Sequence, residues 1–141
     1  MFVLDTNVIS ELRQGKSKPS PEVRTWAATQ PAGQLFLSAI TLLELEIGVQ
    51  ALERKSPPQG SALRSWLNGV RTAFAGRILP FSEHTAPICA SLHLAQSRPE
   101  RDAMIAAAAL EHGFTVVTRN LADFVGTGVK LLNPWQPASV V

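Results

Sequence analysis

The sequence predicts an α/β protein: a three-layer α/β/α sandwich with a mostly parallel five-stranded sheet. Short apolar segments alternate along the chain with longer segments of helical periodicity, a pattern typical of strands joined by helical crossovers. Hydrophobic residues make up 45% of the 141 residues, but aromatic residues only 6%. The apolar volume therefore comes mostly from Leu, Ala, Val and Ile, as expected for helices on a buried parallel sheet. No internal repeat or change of composition divides the chain, so we predict one domain over residues 1–141.

Five short segments are predicted as strands. The first, Phe2-Val3-Leu4, is apolar and short, and we expect it at the centre of the sheet. The other four are predicted at residues 35–38, 77–81, 115–118 and 129–132. Residues 14–20, residues 55–60 and the tail after Pro134 are rich in polar residues, Gly or Pro, and are predicted as loops.

Six helices are predicted, at residues 7–13, 21–30, 41–54, 61–74, 82–97 and 99–112. Ser20 and Pro21 occupy the N-cap and first helical position of the second helix. Gly113 follows the last helix as a C-cap. Residues 121–124 are predicted as a single helical turn. The apolar faces of the third and fourth helices exceed what one small core needs, which favours a dimer or partner surface there.

The composition also bears on the compartment. Cys89 is the only cysteine, so no internal disulfide can form, and a reducing compartment is expected. Asp5 and Glu11 interrupt the N-terminal apolar segment, so we expect no signal peptide. No stretch approaches the roughly 20 apolar residues of a membrane span. We therefore expect a cytoplasmic protein with no membrane partner.

The charge of the chain is mildly basic. The net charge is +2 and the pI is about 9.1, which is weak support for a nucleic-acid partner. If the acidic residues gather in one cleft, the remaining surface becomes clearly positive. The arginines that we expect to be available to phosphates are Arg64, Arg71, Arg77, Arg98, Arg101 and Arg119.

Four acidic residues fall where a parallel sheet would bring them to one edge. Asp5 directly follows the first strand, and Glu44 is predicted in the first turn of the helix after the second strand. Asp102 is predicted in the first turn of the sixth helix, and Asp123 lies just past the fourth strand. Ligands of such sheets bind beyond the carboxyl ends of the strands.

Each helix-start acid also has a purely structural explanation. Thr41 and Glu44 match a capping box, Asp102 could compensate the helix dipole, and Asn120 with Asp123 could be a cap and its partner. Asp5 has no obvious capping partner. Four carboxylates on one edge would repel each other without a cation, and their oxygens suit Mg²⁺ or Mn²⁺. Such an ion can lower the pKa of a water and stabilise the oxyanions of a displacement at phosphorus, while a carboxylate accepts the proton.

Five blocks of sequence resemble the PIN-domain family, and within it the VapC- and FitB-like toxins of bacterial type II toxin–antitoxin systems. The blocks are LDTNVISE at 4–11, SAITLLEL at 38–45, DAMIAAAA at 102–109, VTRNLADF at 117–124 and LLNPW at 131–135. Their order and spacing cover essentially the whole chain. The resemblance implies a parallel sheet flanked by helices and a quartet of acids that binds Mg²⁺ or Mn²⁺.

Carried over to this chain, the quartet falls on Asp5, Glu44, Asp102 and Asp123. Asn7 and Thr118 fall where the family orients these acids or the attacking water. The resemblance further implies hydrolysis of RNA phosphodiester bonds as an endoribonuclease and a homodimer. It also implies a VapB-like antitoxin whose C-terminal segment lies along the toxin groove and which supplies the contact with promoter DNA. Arg101, directly before Asp102, departs from the family and is expected to alter substrate preference.

Two other readings remain open. An aspartyl-phosphate enzyme would also place Asp5 after a first strand, but Asp5-Thr6-Asn7 lacks the second acid, and Lys130 begins a strand rather than following one. A non-catalytic PIN scaffold could serve as a binding module in an antitoxin–DNA repressor complex. Glu11 is expected on the solvated surface, and Trp135 is expected to pack or to line an interface rather than to stack on RNA bases.

Overall fold

The first strand is the central strand of a five-stranded parallel sheet in the computed structural model, which describes residues 1–136. β1 (Phe2–Leu4) pairs with β2 (Leu35–Ser38) on one side and β4 (Thr115–Val117) on the other. β3 (Ile78–Leu79) extends the sheet beyond β2, and β5 (Lys130–Leu132) extends it beyond β4. The order is therefore β3-β2-β1-β4-β5, and the predicted α/β/α class and the central first strand are confirmed. Residues 137–141 of the predicted C-terminal loop lie outside the described residues.

Six helices connect these strands. They are α1 (Thr6–Glu11), α2 (Pro21–Thr29), α3 (Ala39–Lys55), α4 (Pro57–Ala73), α5 (Thr85–Ala95) and α6 (Glu100–His112). Two 3₁₀ turns, Ala32–Gln34 and Leu121–Phe124, complete the described elements. Within residues 1–136 no helix is long and apolar enough to cross a membrane.

The sheet separates two hydrophobic cores because successive strand side chains point to opposite faces. Val3 of β1 packs with α5 and α6 on one face. Leu4 packs on the other face with α1–α4, against residues such as Val8, Val49 and Leu67. The buried face of α6 includes five alanines, whose small side chains let the helix lie close to the sheet: Ala103, Ala106, Ala107, Ala108 and Ala109.

The boundaries of α3 and α4 differ from the prediction. α3 begins at Ala39 because the Ser38 hydroxyl caps it by accepting from the Ile40 N–H over 3.0 Å. α4 begins at Pro57, so the predicted loop at residues 55–60 is wrong. Proline is well placed in a first helical turn, where its missing N–H has no partner to lose.

Candidate functional site

Asp5 lies at the carboxyl end of β1 and is also the N-cap of α1. Its backbone N–H donates to the Val117 carbonyl over 2.9 Å, which continues the β1–β4 pairing by one residue. One carboxylate oxygen, Oδ1, accepts from the Thr6 N–H over 2.8 Å. The expectation that Asp5 has no capping partner is therefore wrong. The side chain is only 5% exposed, so it is held at the floor of the site.

A network from the loop after β4 holds the other oxygen of Asp5. The buried Thr118 hydroxyl donates to Asp5 Oδ2 over 2.8 Å, and Asn7 Nδ2 donates to the same oxygen over 3.3 Å. The Arg119 N–H donates to Asn7 Oδ1 over 3.2 Å. Asn7 and Thr118 therefore contact the first acid and join the start of α1 to the end of β4.

Glu44 lies in the second turn of α3, as its sixth residue, and not in the first turn as predicted. The predicted capping box is wrong because Ser38, not Thr41, caps the helix. Glu44 Oε1 instead accepts from the Thr6 hydroxyl over 2.7 Å. Sequence reasoning missed Thr6 as a site residue, although its place between Asp5 and Asn7 was a signal.

Asp102 and Asp123 approach the same edge from two other elements. Asp102 lies in the first turn of α6, as predicted, and Asp123 lies in the 3₁₀ turn after β4. The Asn120 side chain makes no capping hydrogen bond with this turn, which removes the structural explanation for Asp123.

The acids are close enough to perturb each other. The pKa of Asp102 is raised to about 7, first by burial, then by the negative charges of Asp5, Asp123 and Glu44, and by a hydrogen bond with Asp123. The pKa of Asp5 is also raised, mainly by burial and further by the charge of Glu44. The hydrogen bonds from Thr118, Thr6 and Asn7 act in the opposite direction and lower it. A positive charge at this edge would relieve both penalties.

The donor set fits a hard divalent ion that keeps several waters. Among the described residues, no group of three or more Asp, Glu, His or Cys side chains is arranged to hold a metal ion by itself. Mg²⁺ commonly uses one or two carboxylates, with water and substrate phosphates completing its shell. One or two of the four carboxylates would supply these oxygen ligands, and the positive charge of the ion would offset the repulsion among all four.

A groove runs from the acids along α3 and α4. A cavity of about 300 Å³ begins at Thr6 and Glu44 and continues past Arg13 and Lys16 to Trp66. A second cavity of about 530 Å³ shares Arg13 and Trp66 with it. The groove is thus acidic at one end and basic along its wall.

Glu11 is not solvated as expected. It is 4% exposed and forms an ion pair with Lys16. Hydrogen bonds from Lys16, the Ser20 backbone and the Trp135 side chain lower the pKa of Glu11. This pair holds the loop between α1 and α2, which forms part of the groove wall.

Only some of the predicted arginines are free to meet phosphates. Arg64 pairs with Glu46 and Glu53, joining α3 to α4. Arg77 and Arg98 donate to backbone carbonyls. The expectation is therefore wrong for these three. Arg71, Arg101 and Arg119 are exposed.

Comparisons with known proteins identify the family of the chain. Residues 2–125 match the PIN domain family. The chain is 40% identical to VapC ribonuclease Y4jK of Sinorhizobium fredii, over 98% of this chain and 100% of that protein. It is 37% identical to Toxin FitB of Neisseria gonorrhoeae, over 96% and 99% of the two chains. The structure of FitAB bound to an IR36 DNA fragment contains a chain with a TM-score of 0.87 and 34% identity, covering 99% of both chains.

Proposed function

The chain belongs to the PIN-domain family, and from this premise we propose that it is a Mg²⁺- or Mn²⁺-dependent endoribonuclease acting as the toxin of a VapBC-type toxin–antitoxin system. The observation that carries the proposal is the placement of Asp5, Glu44, Asp102 and Asp123 on four elements where their charges act on one another. The ribonuclease name of the Sinorhizobium fredii relative supports the activity.

Different residues of the chain have different roles in the proposed hydrolysis. A bound divalent ion would supply Lewis-acid stabilisation of phosphate oxygens and a more acidic water. Thr6, Asn7 and Thr118 hold the carboxylates of Asp5 and Glu44 in fixed orientations. A carboxylate of the quartet that does not bind the ion accepts the proton of the attacking water.

The groove is the proposed binding site for the C-terminal segment of a VapB-like antitoxin. Its acidic end reaches Glu44, so a bound segment would cover the catalytic acids. The complex is proposed to contact promoter DNA through the antitoxin; a similar chain occurs in the structure of FitAB bound to an IR36 DNA fragment. Leu43 and Ile47 on α3 are each 48% exposed and are proposed to lie in a homodimer or antitoxin interface.

The proposal is tested by RNA cleavage with a matched pair of variants. Asp5→Asn and Glu44→Gln should each reduce cleavage in Mg²⁺ or Mn²⁺ by at least about 10²-fold, the usual scale of such catalytic groups. Glu83→Gln, at an exposed glutamate, should leave it unchanged. EDTA should abolish wild-type cleavage. Cleavage that survives both EDTA and Asp5→Asn would disprove the proposal.

A second candidate function is a non-catalytic binding module in an antitoxin–DNA repressor complex. It is favoured by the similarity of this chain to one in the structure of FitAB bound to an IR36 DNA fragment. Calorimetric titration of the antitoxin-free chain with Mn²⁺ separates the two candidates. Saturable binding that is lost in Asp5→Asn supports the nuclease, whereas no binding supports the scaffold.

A further inference from the structure

Arg101 places a positive charge beside the acid cluster. Its Nη1 lies 3.7 Å from Glu44 Oε2, while the other oxygen of Glu44 accepts from Thr6. Arg101 directly precedes Asp102 in the first turn of α6, where the Ala103 N–H donates to the Pro99 carbonyl over 3.1 Å. The guanidinium therefore extends from a rigid helix start towards the acids.

The contact between Arg101 and Glu44 is weak enough to exchange. The two groups are 3.7 Å apart, and the Arg101 side chain is 50% exposed. Ion pairs with this exposure contribute only about 0–1 kcal/mol to stability. By comparison, the guanidinium of Arg119 lies 5.1 Å from the centre of the Trp135 ring, and Arg64 is bound by two carboxylates. Arg101 thus lies beside the site, and its contact with Glu44 is weak enough to be exchanged for another.

We propose that Arg101 binds the RNA phosphate next to the scissile bond and that it releases Glu44 to do so. This inference rests on the proposed nuclease function and names a substrate-binding residue for it. A divalent ion and the guanidinium are both positive, so they compete for Glu44. An incoming phosphodiester offers the guanidinium two oxygens in the planar geometry that arginine prefers. Glu44 therefore exchanges one cation for the other as substrate and metal bind.

The test uses Arg101→Gln, Arg101→Lys and the control Arg54→Gln, which changes an exposed arginine in the last turn of α3. The first measurement is calorimetric titration with Mn²⁺ in the absence of RNA. Removing the competing charge should make Mn²⁺ bind about two- to fivefold more tightly in Arg101→Gln, the equivalent of one exposed ion pair. Arg54→Gln should match the wild type, and thermal melting checks that all variants fold.

The second measurement is steady-state cleavage of a single-stranded RNA oligonucleotide at saturating Mn²⁺. Arg101→Gln should raise KM about tenfold with little change in kcat, the scale of one charged phosphate contact. The dependence of log(kcat/KM) on log salt should become shallower by about 0.7, as for the loss of one single-strand phosphate contact. Arg101→Lys should retain most of the salt dependence but less of the affinity.

The measurements distinguish a failure of this inference from a failure of the proposed nuclease function. An active wild type with Arg101→Gln equal to Arg54→Gln in KM and salt dependence would overturn this inference alone. Weaker Mn²⁺ binding in Arg101→Gln would also overturn it, since the arginine would then support the metal site rather than compete with it. A wild type that does not cleave RNA at any Mn²⁺ concentration would overturn the proposed function and the inference with it.

Discussion

The Thr118 hydroxyl donates a 2.8 Å hydrogen bond to Asp5 Oδ2, although the two residues are 113 positions apart in the chain. The same hydroxyl accepts from the Asn120 N–H over 3.0 Å. One buried side chain thus orients the first acid and shapes the loop that leads to Asp123.

Replacing Thr118 with Val keeps the shape but removes this donor. We expect Thr118→Val to lower Mn²⁺ affinity or RNA cleavage by about 10- to 100-fold, as is usual for groups that orient metal ligands. Thr118→Ser keeps a hydroxyl and should recover most of the loss. Calorimetry with Mn²⁺ and a cleavage assay measure both quantities. Equal values for Thr118→Val and the wild type would contradict this role.

Thr6 should support Glu44 in the same way. Thr6→Val leaves Glu44 Oε1 without its 2.7 Å donor, and we expect cleavage to fall by about 10-fold or more. Thr72→Val is the matched control, because its exposed hydroxyl donates only to the Asn68 carbonyl of the same helix. A similar loss in both variants would show that the effect is not specific to the site. Cleavage rates measured on correctly folded variants decide between these results.

The contribution of Asp102 to the stability of the metal-free protein should decrease as the pH rises. The pKa of Asp102 is raised from its ordinary value of 3.8 to about 7 by burial and by neighbouring carboxylates. Between these values Asp102 binds more protons in the folded state than in the unfolded state, so its contribution to the free energy of unfolding decreases with increasing pH. Urea unfolding in EDTA from about pH 4 to about pH 7 measures the slope.

Asp102→Asn removes the titrating group and should flatten this pH dependence. The same pH dependence in the wild type and in Asp102→Asn would contradict the raised pKa of Asp102. Saturating Mg²⁺ should also reduce the slope, because a bound cation favours the ionised acids.

The close approach of α4 to α3 should require a residue without a side chain at Gly60. A Cβ at Gly60 would lie 2.4 Å from the Glu53 Cα, so Gly60→Ala forces the helices apart. We expect a loss of about 1–3 kcal/mol, the usual cost of overpacking. Gly69→Ala in the same helix meets no atom within 4 Å and should stabilise the protein by about 0.5–1 kcal/mol. Denaturant unfolding of both variants tests the contrast, and equal effects would contradict it.

The helix boundaries show where local patterns mislead. The apolar spacing from Leu63 to Phe74 predicts the body of α4, but its start at Pro57 depends on a proline at the first position. Similarly, Thr41 with Glu44 has the spacing of a capping box, yet Ser38 is the residue that caps α3. Near each helix start, several residues satisfied the local rules for an N-cap or a first helical position. The packing of the helix determined where it begins.

Sequence by itself determined the alternation of strands and helices and the central first strand, because these follow from hydrophobic periodicity, and it predicted the four acids as site residues. Only the tertiary structure decided what each acid touches. The bond from Thr118 to Asp5, that from Thr6 to Glu44, and the approach of Arg101 to Glu44 join residues from different elements. Such contacts depend on strand order and helix packing, which no local pattern encodes.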